Sequence, residues 1–265
     1  MPSAYAHYRF GNEVYKLLPG KIQNTIDKYK DLYDIGLQGP DIFLFYKPMS
    51  PTPNSLLGYD IHDRPAKEFF QPAKHIVKQF VSPDAAMSYL FGFLCHFVFD
   101  SKCHPYVEEK IKQSGLSHIE IEVEYDRKLM LQDGHDPIIY QPVNYINNSS
   151  GNAAFISKFF PTVNKEQIEE ALESMKRYSN LFVSPGILKR LFLYGILKIT
   201  HRYEDFHGLI VKYKANPQCY DSCAKLDELY TEGIELSLEL IKNYKEYVFY
   251  NEELSNLFDR TFGID

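Results

Sequence analysis

The stretch GFLCHFVFDSKCHP, residues 92–105, is mostly apolar, yet it carries His96, Asp100 and His104 at successive spacings of four residues. Residues four apart lie on nearly the same face of an α-helix, so these side chains form one polar line along an otherwise apolar helix. Burial of two imidazoles and a carboxylate costs free energy unless a partner compensates, and a metal ion is such a partner. The stretch therefore predicts a central helix around which the rest of the chain is organised.

The length of this polar line limits how it can bind metal. Each step of four residues rises about 6 Å, which places His96 and His104 about 12 Å apart along the helix axis. One ion with ligand bonds of about 2 Å cannot contact both imidazoles. Asp100 lies between them and has two oxygens. The pattern indicates two metal positions that share one carboxylate; the alternative is a structural helix whose two histidines are hydrogen-bonded.

Composition narrows the class of protein. The 265 residues are enough for one large domain, and we expect a single all-α domain over residues 1–265. The net charge of −6 argues against a stable nucleic-acid partner, which needs basic contacts. The start of the chain lacks the pattern of a secretory signal, and the longest apolar run, residues 85–99, is too short to span a bilayer. We therefore expect a cytoplasmic location and no transmembrane segment; the oligomeric state is left open.

Apolar residues recur at helical spacing along most of the chain, whereas alternation of strand length is scarce. The sequence Ser117-His118-Ile119-Glu120 predicts a capping box, because a Ser and a Glu three residues later satisfy each other's backbone donors. Pro, Asn and Gly in Lys47–Asp63 predict a loop, and a second loop is predicted for Gln132–Gly151. The predicted helices are Asn12–Leu18, Ile22–Ile35, Ala66–Phe80, a helix from Ser82 through Asp100 that frays near Pro105, Ser117–Leu131, Asn164–Tyr178, Pro185–Arg202, Ala224–Phe249 and Glu252–Phe258.

Five further residues are candidates to complete a metal site. His118 and Glu122 stand four apart on the helix after Ser117, which is the spacing of a helical ligand pair, although the Glu is also suited to a solvated surface. Asp41 follows Gly-Pro at a chain break, where an acid is often only a turn residue. His62 lies between acids in the predicted loop, and His7 stands among aromatic residues. Each of these residues alone is weak evidence for a site.

Together the candidates have a recognisable order: a His near the start, Gly-Pro-Asp, a loop His, His-x3-Asp-x3-His and His-x3-Glu. This order resembles the bacterial zinc-dependent phospholipase C family, which is related to single-strand zinc nucleases. The resemblance covers about the first half of the chain, from His7 to Glu122, and it implies an all-helical fold that holds two or three zinc ions. The implied ligand sets are Asp41, His62, His96 and Asp100; His104, His118 and Glu122; and His7 with the bridging Asp100.

The chain departs from the secreted members of that family. They use an amino-terminal Trp as a zinc ligand, and this sequence contains no Trp. The resemblance therefore leaves the third ligand set without that residue. The spacing Asp-x3-His is also shorter by two residues than in the secreted enzymes, and is similar to that of glycosylphosphatidylinositol phospholipase D-like relatives.

Clustered zinc ions suit the hydrolysis of phosphodiesters, because they neutralise phosphoryl charge and lower the pKa of water. We expect Asp41 to steer the proton, and Tyr5, Phe43, Phe45 and Tyr59 are candidates for the cleft wall. The predicted function is a phospholipase C-like phosphodiesterase acting on a small or lipid-like substrate rather than on a packed bilayer. The alternatives are a single-strand nuclease or 3′-nucleotidase-like enzyme, and a zinc- or lipid-binding module without turnover.

Overall fold

The computed structural model describes residues 4–48 and 52–263, and for residues 54 and 55 the backbone alone. Within these ranges the chain forms helices and connections and no strand, so the predicted all-α class is confirmed. Five short 3-10 helices cover Gly39–Phe45, Ser157–Phe159, His207–Leu209, Pro217–Cys219 and Asn256–Asp259. The α-helices are α1 (Ala4–Leu17), α2 (Gly20–Lys28), α3 (Lys30–Gly36), α4 (Pro53–His62), α5 (Lys67–Val77), α6 (Pro83–Ser114), α7 (His118–Gln132), α8 (Ser150–Ile156), α9 (Lys165–Phe182), α10 (Ile187–Ile199), α11 (Tyr203–Phe206) and α12 (Tyr220–Tyr250).

The central helix is α6, which packs against α1, α2, α3, α5, α7 and α12. All of its residues from Ala85 to Asp100 are buried, as expected for a helix that is apolar on every side. The expectation that this helix frays near Pro105 is wrong. The helix continues to Ser114, although Pro105 removes one backbone donor, because its last turns still pack on the protein through the buried Val107.

Close approach of two backbones fixes α3 against α6. A Cβ atom on Gly36 would lie 2.3 Å from the carbonyl oxygen of Tyr89, and one on Gly92 would lie 2.2 Å from the carbonyl oxygen of Tyr33. Only glycine permits this contact at both positions. The 3-10 helix that carries Asp41 follows α3 directly, so the contact places Asp41 next to the His96 turn of α6.

Other predictions of local structure are also wrong. The helix predicted at Asn12–Leu18 begins at Ala4, eight residues earlier. Part of the predicted loop Lys47–Asp63 is the helix α4. Its Pro53 occupies the first helical position, where a missing backbone N–H is tolerated. Residues 49–51 of the predicted loop lie outside the described residues. The predicted helix Ile22–Ile35 is interrupted at Tyr29, with φ −130° and ψ 42°. The predicted helix Glu252–Phe258 contains only the start of the 3-10 helix Asn256–Asp259. The capping box at Ser117, by contrast, is confirmed.

The α10 helix differs from the others in how it uses its apolar residues. Its buried residues are Arg190, Leu193 and Leu197, while Leu188, Phe192 and several other apolar side chains are exposed. No helix in the described part of the chain is long and apolar enough to cross a membrane.

Candidate metal centre

Five separate elements bring the predicted ligand residues to one place. His96, Asp100 and His104 lie on α6, and His118 and Glu122 lie on the first turns of α7. The 3-10 helix after α3 supplies Asp41, the end of α4 supplies His62, and α1 supplies His7. Every one of the eight side chains lies within 3.7 Å of another of the eight. His62 is thus on a helix and not in a loop, but it does reach the cluster.

Asp100 is the centre of the arrangement. Its Oδ1 lies 3.2 Å from Nε2 of His7 and 3.5 Å from Nε2 of His104, while its Oδ2 lies 3.0 Å from Nε2 of His96 and 3.3 Å from Nε2 of His62. One carboxylate therefore faces four imidazoles from three helices. Among the described residues, two candidate metal groups adjoin it and share His96: His7, His96 and Asp100; and Asp41, His62 and His96.

A further candidate group lies one turn along α6 and consists of His104, His118 and Glu122. Glu122 Oε1 is 2.9 Å from Nε2 of His118 and 3.6 Å from Nε2 of His104. His104 joins this group to Asp100, as the spacing of four along the helix requires. The side chain of His118 is 25% exposed, whereas those of the other seven residues are less than 10% exposed. The centre is therefore most accessible to solvent at His118.

Several of these contacts leave a buried atom without a hydrogen-bond partner among the described residues. Asp41 Oδ1, His62 Nε2, His96 Nε2, Asp100 Oδ2 and His118 Nε2 are buried and have no hydrogen-bond partner within the described residues, although they lie 2.9–3.7 Å from other candidate ligand atoms. Such atoms are costly to bury unless something else satisfies them. Two ligand atoms bound to zinc at 2.0–2.1 Å with tetrahedral geometry are separated by about 3.3 Å. The observed distances and the mixed imidazole and carboxylate donors fit zinc.

The outer nitrogens of three histidines are held by neighbouring oxygens. Nδ1 of His62 lies 2.6 Å from the carbonyl oxygen of Gly58, Nδ1 of His96 lies 3.2 Å from that of Leu37, and Nδ1 of His118 lies 3.4 Å from a carboxylate oxygen of Glu108. A proton on Nδ1 leaves Nε2 of each ring as the metal-facing lone pair. The continuation of α6 beyond Pro105 thus has a role at the site, because it carries Glu108.

The electrostatics of the centre favour charged side chains despite their burial. Burial lowers the pKa of His62, but the Asp100 and Asp41 carboxylates outweigh it and raise that pKa to about 10. Burial opposes ionisation of Asp100, but the surrounding histidines hold the pKa of its carboxyl well below the usual range. In the same way, burial raises and the neighbouring His118 lowers the pKa of Glu122, which lies well below its usual range. The Asp100 and Glu122 carboxylates are therefore ionised although they are buried.

A protein-family model described as zinc dependent phospholipase C matches residues 6–176, well over half of the chain. The chain belongs to the zinc-dependent phospholipase C family. The family predicted from the order of the candidate ligands is thus confirmed, and the matched segment contains all eight of them. Neither a curated protein nor a solved structure matches the chain. Helices α10, α11 and α12 lie outside the segment that matches the zinc-dependent phospholipase C family.

Sequence reasoning missed three residues that position the centre. Gly39 has φ +50°, and a Cβ atom there would lie 2.3 Å from the imidazole of His96, so the Gly of Gly-Pro-Asp is required by sterics. Asp126 accepts hydrogen bonds from the backbone N–H groups of Tyr5 at 3.2 Å and Ala6 at 2.8 Å, and so caps the helix that carries His7. Phe262 packs its ring on His62 with 5.3 Å between centroids. Only the Gly had a signal, its place before Pro-Asp.

A cavity of about 80 Å³ lies one helical turn from the ligand residues. Ala4 is three residues before His7, Phe45 is four after Asp41, and Asp126 is four after Glu122; all three line the cavity. Of the other aromatic residues predicted to wall a cleft, Phe43 is buried against Phe160, Tyr5 donates a hydrogen bond of 2.6 Å to Asp133, and Tyr59 is exposed. Phe45 alone among the four lines this cavity.

Proposed function

We propose that the chain is a phosphodiester hydrolase of phospholipase C type that uses two or three zinc ions and acts on a small or lipid-like substrate. The observation that carries the proposal is the position of Asp100, whose two oxygens face histidines of all three candidate groups. A carboxylate in that position suits ions close enough to act on one phosphoryl group. Membership of the family supports the same class of reaction.

The proposed division of labour follows from the geometry. Bound zinc neutralises phosphoryl oxygens and lowers the pKa of water. Asp41 is buried in the centre with its Oδ1 among the candidate ligand atoms, 3.3 Å from Nε2 of His62, and we assign its carboxylate the further role of steering the proton of the attacking water. The substrate enters on the side of His118, the most exposed of the eight residues. The apolar cavity beside Phe45 and Ala4 takes a short apolar part of the substrate.

The number of ions depends on the His7 group. His7 and His96 are stacked with 4.2 Å between ring centroids, and both face Asp100. His96 also belongs to the group that contains His62, and its one metal-facing nitrogen, Nε2, binds a single ion. A third ion would therefore be held by His7 and Asp100 with a donor from outside this group, and the sequence contains no Trp to supply it. Two ions are assigned to the groups that contain His62 and His118.

A substrate panel tests the proposal. The zinc-loaded protein is assayed on a chromogenic phosphocholine ester, a phosphoinositol ester, single-stranded DNA and a 3′-nucleotide. We expect turnover of the head-group esters, abolished by Asp41→Asn and retained by Asp63→Asn, a matched change at an exposed carboxylate next to α4. Preferential cleavage of DNA or the 3′-nucleotide would assign the protein to the nuclease branch. No turnover by fully loaded protein would favour a binding module.

A further inference from the structure

The α10 helix exposes an apolar face that no described residue covers. Leu188 is 80% exposed, Leu191 60%, Phe192 66% and Ile199 80%, and Ile187 and Ile196 are also exposed. These positions follow one another at spacings of one, three and four residues, so they lie on one side of the helix. Single exposed apolar residues are common on proteins, but a contiguous apolar stripe indicates a docking surface.

Basic residues border this apolar face on both sides. At about 100° per residue, the exposed apolar side chains cover an arc of about 180°, with Lys198 just inside one edge and Lys189 just beyond the other. Both lysines are exposed. Lysine side chains in this position lay their methylene groups along an apolar surface and keep the ammonium group among polar groups.

The segment around α10 has a charge opposite to that of the whole chain. Residues 174–203 contain no Asp or Glu and six basic residues, in a protein of net charge −6. The basic residues are Lys176, Arg177, Lys189, Arg190, Lys198 and Arg202. An apolar helical face with basic margins is the pattern of a helix that lies in the interface of an anionic membrane.

Contacts on the inner side of α10 connect it to the metal centre. The buried Arg190 donates hydrogen bonds to the carbonyl oxygens of Ser184 at 2.6 Å and Val211 at 2.7 Å, and it lines the same cavity as Asp126. The adjoining Lys212 pairs with Glu120 of α7 at 2.7 Å, and Glu120 is two residues after His118 in the sequence. The apolar face is thus attached to the helix on which the centre is most exposed.

We propose that α10 docks this protein on a lipid bilayer that contains anionic lipids, with its apolar face among the acyl chains. Docking would present a lipid phosphodiester at the cavity, and this purpose alone rests on the proposed function. The sequence led us to expect that a packed bilayer is not the substrate, and the docking proposal replaces that expectation. A second copy of the chain fits the face less well, because the basic margins of the two helices would meet and repel.

Flotation of the zinc-loaded protein with vesicles tests the docking without any turnover. Vesicles of phosphatidylcholine alone are compared with a three-to-one mixture of phosphatidylcholine and phosphatidylglycerol. We expect stronger binding to the mixed vesicles, weakened by salt. Leu191→Asn should weaken binding at least about tenfold, because a Leu side chain no longer enters the bilayer. Lys198→Gln should weaken binding to the mixed vesicles about fivefold.

The matched control is Leu17→Asn, at a leucine of α1 with the same 60% exposure. It should leave vesicle binding unchanged, and both leucine variants should keep the thermal midpoint of the wild type. Hydrolysis of a water-soluble phosphocholine ester should also be unchanged in Leu191→Asn, while hydrolysis of the vesicle lipid falls with binding.

Three results would overturn the docking proposal: wild-type protein that floats with neither vesicle, equal losses in Leu17→Asn and Leu191→Asn, or a dimer that Leu191→Asn dissociates without any vesicle binding. The protein could bind vesicles in the expected pattern and yet hydrolyse no phosphodiester. That result would support the docking surface and refute the proposed function.

Discussion

In α6, polar side chains are buried, and in α10, apolar side chains are exposed. His96, Asp100 and His104 are almost fully buried in the core, where ionisable groups are rare unless they are paired or bind metal. Leu188 and Phe192 face solvent on α10. Each region is incomplete by itself. The difference indicates two kinds of missing partner: cations for the buried polar line, and an apolar phase for the exposed face.

The largest effect is expected from Asp100→Asn. The amide is neutral and a weaker ligand, and it replaces the one side chain among the described residues that faces all three groups. Changes to residues that merely support a metal ligand cost about 10–100-fold, so this change should cost at least about a hundredfold in phosphodiesterase activity. His118→Ala should instead remove one ion and leave the other groups partly filled. Equal losses of metal and activity in the two variants would contradict the central position of Asp100.

Removal of metal should destabilise the fold. When the free zinc concentration is a thousand times the dissociation constant, each bound ion raises the free energy of unfolding by about 4 kcal/mol. For a chain of this size, that corresponds to a rise of about 10 °C in the midpoint of thermal unfolding. Scanning calorimetry with and without a chelator measures the shift, and added zinc should reverse it. An unchanged midpoint in a protein shown to have lost its metal would mean that the buried groups are satisfied without ions.

A smaller and more local effect is expected from Gly39→Ala. The new Cβ atom would lie 2.3 Å from the His96 ring at a residue with φ +50°, so we expect about 1–3 kcal/mol of destabilisation and weaker zinc binding. Gly20→Ala is the matched control, because no described atom outside its own helix lies within 4 Å of a Cβ there. Chemical denaturation compares the two variants, and equal stability would argue against the tight fit around His96.

A further effect concerns pH in the metal-free protein. The folded-state pKa of His62 is raised from 6.5 to about 10 by Asp100 and Asp41, against the effect of burial. Protonated His62 therefore stabilises the metal-free fold fully below pH 6.5, and this contribution is lost as the pH rises to about 10. The thermal midpoint after chelation should fall across this range, and it should fall less in His62→Gln. The same decline in both proteins would contradict the proposed pairing.

The spacing of residues predicted much of this centre because the ligands on α6 and α7 are local in sequence. Spacings of four place His96, Asp100 and His104 on one line, and His118 and Glu122 on another, whatever the rest of the fold. The helix that carries His62 was missed because Pro and Gly favour loops in short windows, whereas here Pro53 occupies the first turn of α4. Asp126 and Phe262 were missed because their contacts join residues far apart in the chain, for which sequence spacing gives no signal.

The exposed face of α10 was also missed. An amphipathic pattern predicts that the apolar side of a helix packs on the core, and the helix at Pro185–Arg202 was predicted on that basis. In the structure its buried side is instead centred on Arg190, whose guanidinium group is held by carbonyl oxygens and lies 3.8 Å from the Tyr213 ring centroid. Which side of a helix faces the core depends on such tertiary contacts, and periodicity alone does not determine it.

Zinc stoichiometry tests the central claim most directly. Plasma mass spectrometry of the gently purified protein, with chain concentration from amino-acid analysis, gives ions per chain for the wild type, Asp100→Asn and His118→Ala. The arrangement predicts two or three zinc ions in the wild type, loss of one in His118→Ala and loss of more than one in Asp100→Asn. Less than one transition-metal ion per chain in the wild type, with no gain when zinc is added, would contradict the assignment of the buried cluster as a metal centre.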